Sequence, residues 1–193
     1  GGIQQAFISD RAAESIFSNL DGAALSGWEN EQKELLELLS PDEYKAARAS
    51  TLTSFYTPPD VTDGVYQALK QFGFEGGNVL EPSMGVGNFF AKMPEDMRDN
   101  SKLYGVEIDS ISGRIAQQLY PNERIQIKGF EKTNFNNNSF DVVIGNIPFG
   151  DYKVSDKAYD KHNFKIHDYF AAKAVDKVKP NGIVAVSYTH LTL

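Results

Sequence analysis

The apolar positions change period near residue 50. Up to that point they recur at helical spacing. Ser26-Gly27-Trp28-Glu29 has the capping-box arrangement ahead of residues 31–39, where Leu35, Leu36, Leu38 and Leu39 supply one apolar face. Ser40-Pro41-Asp42-Glu43 repeats the arrangement with Pro41 at the first helical position, and a short Ala-rich helix runs on to about Ala49. Residues 1–50 are therefore expected to form a helical segment that caps the domain following it.

From Thr51 the character changes. Ser54-Phe55-Tyr56-Thr57-Pro58-Pro59-Asp60 is rigid and turn-rich. Asp60 is expected to cap a helix carrying Val61, Val65, Leu69 and Phe72 on one face, with Gly73, Gly76 and Gly77 ending it. Short apolar runs then alternate with helical stretches. Strands are expected at 78–81, 102–107, 124–128, 140–145 and 183–186, the fourth ending in Asn146 and the fifth entered through the Asn181-Gly182 turn. Helices are expected from about Asn88, from a cap at Asp109 or Ser110 through Ile111, Ile115 and Leu119, and over 164–178 with Ile166, Phe170, Ala174 and Val178 recurring. This alternation predicts an α/β fold over residues 51–193, a doubly wound, mostly parallel sheet.

Composition narrows the chemistry. The chain has 193 residues with a hydrophobic share of 41%, enough for one α/β domain. No apolar run is long enough to span a membrane, and no secretory signal opens the sequence, so the cytoplasm is the expected compartment. The first residue is Gly rather than Met, which reads as a segment of a longer protein; Thr189-His190-Leu191-Thr192-Leu193 fits nothing expected at that point of the fold. With no Cys, disulfides, thiolate zinc sites and cysteine nucleophiles are excluded. His162, His167 and His190 lack metal-ligand spacing, and no metal site is expected. The net charge of −7 runs against a strong nucleic-acid surface.

Three features carry candidate chemistry. Glu81-Pro82-Ser83-Met84-Gly85-Val86-Gly87-Asn88 joins the first strand to its helix, where open α/β sheets bind ligands. A tight strand–helix turn needs glycine in any case, so alone it fits either role. It is neither a full dinucleotide fingerprint nor a P-loop. Glu107 ends the second strand 22 residues after Gly85, the spacing at which an acid reaches the ribose hydroxyls of an adenosine-containing cofactor. Asn146-Ile147-Pro148-Phe149 follows the fourth strand. The amine of adenine is a poor nucleophile because its lone pair is delocalised into the ring. An Asn oxygen and a main-chain carbonyl can each accept one of its N–H bonds and drive the nitrogen towards tetrahedral geometry. The adjacent aromatic can stack a base flipped out of the duplex.

In this order the motifs resemble the gamma-class adenine-N6 DNA methyltransferases, including methylase domains of large phage or mobile-element proteins. The resemblance runs from about Thr51 to Ser187. It implies a Rossmann-like fold, S-adenosyl-L-methionine as cofactor, and DNA as partner, as a duplex with a flipped adenine, with further domains on the same parent chain. Phe55-Tyr56-Thr57-Pro58-Pro59 resembles the cofactor motif in which Thr57, beside Tyr56, meets the methionine carboxylate. Glu81, Pro82, Ser83, Gly85 and Gly87 match the cofactor loop, Glu107 the ribose-binding acid, and Ile108 the residue against adenine. Asn146, Ile147, Pro148 and Phe149 match the catalytic tetrapeptide. Ile147 stands where the family has Pro; its carbonyl is retained, and Pro148 keeps it extended. Gly129-Phe130-Glu131 stands where the family has Gly-Asp-Phe, so either Glu131 meets the cofactor's adenine or Phe130 only packs. The family's sheet has seven strands, so five mark a C-terminally truncated sheet. Residues 151–165 interleave Lys153, Lys157, Lys161 and Lys165 with Tyr152, Tyr159 and Phe164, fit for nucleic-acid contact or for a solvated lid. The alternatives are an RNA base or a protein glutamine as substrate, and a non-catalytic module binding cofactor or partners.

Overall fold

The structure, a computed structural model, describes residues 29–44 and 57–188. The chain divides into two units, residues 1–55 and 56–193, taken separately below. In the first, helix α1 spans Glu29–Leu38. The second capping box forms as expected: the Ser40 N–H donates to Glu43 Oε2 at 2.9 Å, and the Glu43 N–H to Ser40 Oγ at 3.3 Å. Ser26, the stretch from 45 to Ala49 and Tyr56 lie outside the described residues.

The second unit is a five-stranded parallel sheet in the order β3-β2-β1-β4-β5. The strands are β1 (Asn78–Glu81), β2 (Lys102–Glu107), β3 (Arg124–Ile127), β4 (Phe140–Asn146) and β5 (Val178–Ser187). The helices are α2 (Pro59–Gln71), α3 (Asn88–Lys92), α4 (Glu95–Asp99), α5 (Ser110–Leu119) and α6 (Ile166–Lys177). The order reverses between β1 and β4, the switch point at which such sheets take ligands beyond the strands' carboxyl ends.

Both faces of the sheet are covered, which is why its central strands are almost wholly apolar. On one face Val79, Leu103, Val142 and Ile144 pack with Tyr66 and Leu69 of α2, Phe89 and Phe90 of α3, Met97 of α4 and Ala116 of α5. On the other, Leu80, Val106 and Val143 pack with Phe130 and with Ile166, Tyr169, Phe170 and Ala174 of α6. Burying a large side chain of this kind contributes about 1.5–3 kcal/mol.

The start of α2 departs from expectation. Pro59 begins the helix, so Pro58 occupies the cap position, and Asp60 lies in the first turn, where it complements the helix dipole instead. The face also turns: Thr62, Tyr66 and Leu69 are buried, whereas Val61 and Phe72 are exposed. The Tyr66 hydroxyl sets this rotation by donating to the Phe89 carbonyl at 2.6 Å. Helix α4, entered through Pro94, has no counterpart in the sequence reading. Asp109, not Ser110, caps α5, accepting from the Ser112 N–H at 2.8 Å. Strand β5 starts earlier than expected because Val178 already pairs with Phe140. Residues 179–182 then bulge out, with Asn181 at φ 68°, before Ile183 rejoins opposite Val142.

Candidate functional site

Two residues make the turn after β1 possible. Gly87 caps α3 in the left-handed region, at φ 88°, and a Cβ there would come within 2.5 Å of the Tyr120 ring. Tyr120 closes over it, its hydroxyl donating to the Gly87 carbonyl at 2.7 Å. Gly85, at φ 56°, has nothing within 4 Å of a Cβ position, so its missing side chain leaves open space. The turn is stitched to β2 as well: the Met84 N–H reaches the Val106 carbonyl at 3.0 Å, and the Gly85 N–H reaches Glu107 Oε2 at 2.7 Å.

Two carboxylates sit beneath this turn. Glu81, at the end of β1, is 2% exposed, and its Oε2 has no hydrogen-bonding partner. Burial, and then the neighbouring Glu107, push its carboxyl well above the usual carboxylate range. Glu107 is also raised by burial, although the N–H groups of Asp109 and Gly85 pull the other way. Its Oε1 accepts from the Asp109 N–H at 2.7 Å. A buried carboxylate oxygen with no donor is costly unless a ligand supplies one. S-adenosylmethionine fits these residues: its ammonium would answer Glu81, the bare Gly85 leaves it room, and Ile108, 73% exposed beside Glu107, offers an apolar surface for adenine. Thr57 is buried at the start of the unit.

Asn146 stands at the end of β4, beside this turn. Ser83 Oγ donates to its main-chain carbonyl at 2.7 Å. Ser187, at the end of β5, lies 3.3 Å through its Oγ from Asn146 Oδ1 and accepts the Ile147 N–H at 2.8 Å on its carbonyl. Ile147 is buried in the core under the sheet, while Phe149 is partly exposed and stacks on His167 at 4.5 Å and on Tyr188 at 5.1 Å between centroids. His167 thus braces the aromatic of the tetrapeptide.

Beyond Phe149, residues 150–165 form an irregular segment closed by a 3-10 turn at Asp160–His162. Lys153, Lys157, Lys161 and Lys165 are all exposed. Of their acidic neighbours, Asp156 is engaged with Lys173 at 2.9 Å and Tyr169 at 2.8 Å and Asp160 with the Asp156 N–H at 2.8 Å, while Asp151 pairs with Lys165 itself at 2.9 Å. A cavity of about 290 Å³ lies within the segment, lined by Lys153, Tyr159, Asn163 and Phe164 among others.

The structure brings Glu81, Pro82, Ser83, Gly85, Gly87, Glu107, Asn146, Ile147 and Pro148 to neighbouring strand ends. Of the Gly129-Phe130-Glu131 alternatives, Phe130 packs in the core, and the Glu131 carboxylate folds back over Gly129. Sequence reasoning missed Ser187 and Lys173. Lys173 was detectable as a lysine on the stripe of Ile166, Tyr169, Phe170 and Ala174; Ser187 could be found only from the pairing of β4 with β5. No helix among the described residues is long and apolar enough to cross a membrane.

Comparison with known proteins gives the family and the fold. Residues 39–190 match the N-6 DNA methylase family. The chain is 33% identical over 183 residues to the defense against restriction protein B of Escherichia phage P1, covering 92% of this chain and 8% of the phage protein. It is 38% identical over 95 residues to a type II methyltransferase of Paramecium bursaria Chlorella virus XZ-6E, covering 49% of this chain and 24% of that protein. In fold it is similar to the methyltransferase subunit of a type I restriction-modification system from Streptococcus thermophilus, with a TM-score of 0.58, 16% identity, and coverage of 97% of this chain and 50% of that one. A type I modification subunit from Vibrio vulnificus YJ016 gives a TM-score of 0.55 at 19% identity, over 82% of this chain and 39% of that one.

Proposed function

The chain belongs to the N-6 DNA methylase family, and from that premise we propose that it transfers a methyl group to the exocyclic N6 amine of adenine in DNA. S-adenosylmethionine is the cofactor; bound, it supplies a methyl group on a positively charged sulfur. Glu81 would take its ammonium, Glu107 its ribose hydroxyls, and Ile108 and Glu131 its adenine, with Tyr56 and Thr57 assigned to its carboxylate. The Asn146 side-chain oxygen and the Ile147 carbonyl accept the two N–H bonds of the target amine and turn its lone pair towards the methyl group. They act where charge develops, so their fixed orientation lowers the barrier rather than merely tightening binding. Pro148 holds the direction of the Ile147 carbonyl. Phe149 stacks the base.

One observation carries this reading: the 2.7 Å bond from Ser83 to the Asn146 carbonyl, which ties the cofactor turn to the amine-binding tetrapeptide at the switch point of the sheet. DNA as the substrate, as a duplex with the adenine flipped out, draws support from residues 150–165. There Asp156 and Asp160 engage partners within the fold while Lys157 and Lys161 face solvent. The chain spans 8% and 24% of its two curated relatives, so further domains of a parent chain belong to the proposal. The net charge of −7 favours a second reading, in which the amine belongs to an RNA base or a protein glutamine. A panel of adenine-containing duplex DNA, RNA and protein incubated with methyl-labelled cofactor distinguishes them. Label on N6 of adenine in DNA is expected; label on RNA or protein alone overturns the DNA assignment, and label nowhere favours a non-catalytic module.

A further inference from the structure

Lys173 is 2% exposed, yet it is an ammonium in the middle of the core face of α6. Its Nζ donates to the Phe130 carbonyl at 2.7 Å, to Asp156 Oδ2 at 2.9 Å and to the Tyr169 hydroxyl at 3.1 Å. Three protons meet three acceptors, so the group is fully used. The rings of Phe130 and Tyr169 lie 4.8 Å and 5.7 Å from it. A buried ion pair gives little net stability over an apolar pair of the same volume, so its value lies in the geometry it fixes.

That geometry joins two parts of the cleft. The Phe130 carbonyl belongs to the short turn Phe130–Lys132, which carries Glu131, and it also accepts from Thr133 Oγ1 at 2.7 Å. Asp156 organises the target-side segment. Its Oδ2 also takes the Tyr169 hydroxyl at 2.8 Å, and its Oδ1 takes the Ala158 N–H at 3.2 Å. Its main-chain carbonyl accepts from Tyr159 and Asp160, both at 2.8 Å. Burial works against its charge, but Lys173, Tyr169 and the Ala158 N–H outweigh that and hold its carboxyl below the usual range.

We propose that Lys173 is a positioning residue that couples cofactor binding to DNA binding, by holding the Glu131 turn and residues 150–165 on one buried ammonium. This rests on the assignment above of the first to the cofactor's adenine and of the second to DNA. A shift of either segment strains bonds that the other shares. Coupling of this kind is reciprocal: cofactor raises affinity for DNA by the same factor as DNA raises affinity for cofactor.

The test measures dissociation constants for S-adenosylmethionine, with and without an adenine-containing duplex, and for the duplex, with and without cofactor. Wild-type protein is expected to show a ratio of about fivefold or more in both directions. Lys173→Met, similar in length and apolar, is expected to bring both ratios close to one while cofactor affinity in the absence of DNA changes by less than about threefold. The double variant Asp156→Asn/Lys173→Met removes both charges, avoids stranding a carboxylate, and is expected to behave in the same way. Ratios retained in either folded variant overturn the coupling, as does a wild-type ratio of one. Wild-type protein that binds cofactor but no duplex overturns the DNA assignment together with it.

Discussion

On the proposed cofactor side of the cleft, the turn after β1 is held by its own main-chain groups: the Met84 N–H to the Val106 carbonyl, the Gly87 N–H to the Met84 carbonyl, the Gly85 N–H to the Glu107 carboxylate, and the Gly87 carbonyl to the Tyr120 hydroxyl. On the proposed target side, residues 150–165 are held largely by side chains: Asp156 to Lys173 and Tyr169, Tyr159 to Asp176, Lys165 to Asp151. The first kind of site depends on backbone positions that the sheet sets. The second can be reset by single substitutions, which would suit the substrate-contacting role proposed for it.

The sharpest way to separate the two sides is Asn146→Ala. Turnover is expected to fall by about 10²–10³, or more, because an acceptor acting on the developing charge is lost. Cofactor affinity should stay within about twofold. Single-turnover rates with labelled cofactor, set beside calorimetry, check this; an equal loss in both would show that the sides are not separable.

Glu81→Gln addresses the cofactor side. Burial and Glu107 favour the neutral form of Glu81 before the cofactor arrives, and pairing with an ammonium requires the charged form. Binding therefore releases a proton, and affinity should rise with pH from the ordinary carboxylate range up to the raised value, by at most about tenfold per unit. The Gln variant should bind about tenfold more weakly at neutral pH and lose that slope. The same sign holds for folding. A carboxyl raised in the folded state binds a proton that the unfolded chain has already lost, so ligand-free stability falls as pH climbs through that window. The variant should consequently melt higher than wild type near neutral pH without cofactor. Calorimetry and melting curves across pH test both halves.

The smallest effect is expected from Lys157→Ala with Lys161→Ala. Both side chains are exposed, so folding should be unaffected, and duplex affinity should drop a few-fold with the salt slope reduced by about two. A salt slope that does not change would remove residues 150–165 from the DNA surface.

The strand ends were legible because their signals are local. Four apolar or small residues running into Asn146, and glycines at 85 and 87 where φ is positive, identify themselves within a few positions. The start of α2 was misread because two capping rules competed at Pro59 and Asp60 and the proline prevailed. Its buried face was misread because Tyr66 reaches for Phe89, 23 residues away. For Lys173 the sequence shows only a lysine on an apolar stripe; its partners Phe130 and Asp156 lie 43 and 17 residues off. Pairs of that separation leave no periodic trace in a single sequence.

The contact between Asn146 and Ser187 carries a consequence for the order of assembly. The two residues lie 41 apart, and they meet only once α6 has crossed the sheet and β5 has docked parallel to β4. Parallel pairings that close so long a loop are among the slower steps of folding. A chain with β1, β2 and β4 in register but β5 still undocked would already have its glycine turn and both carboxylates, and could bind cofactor. Its Asn146 would lack the Ser187 contact, so competence to bind is expected to precede competence to transfer as the protein folds.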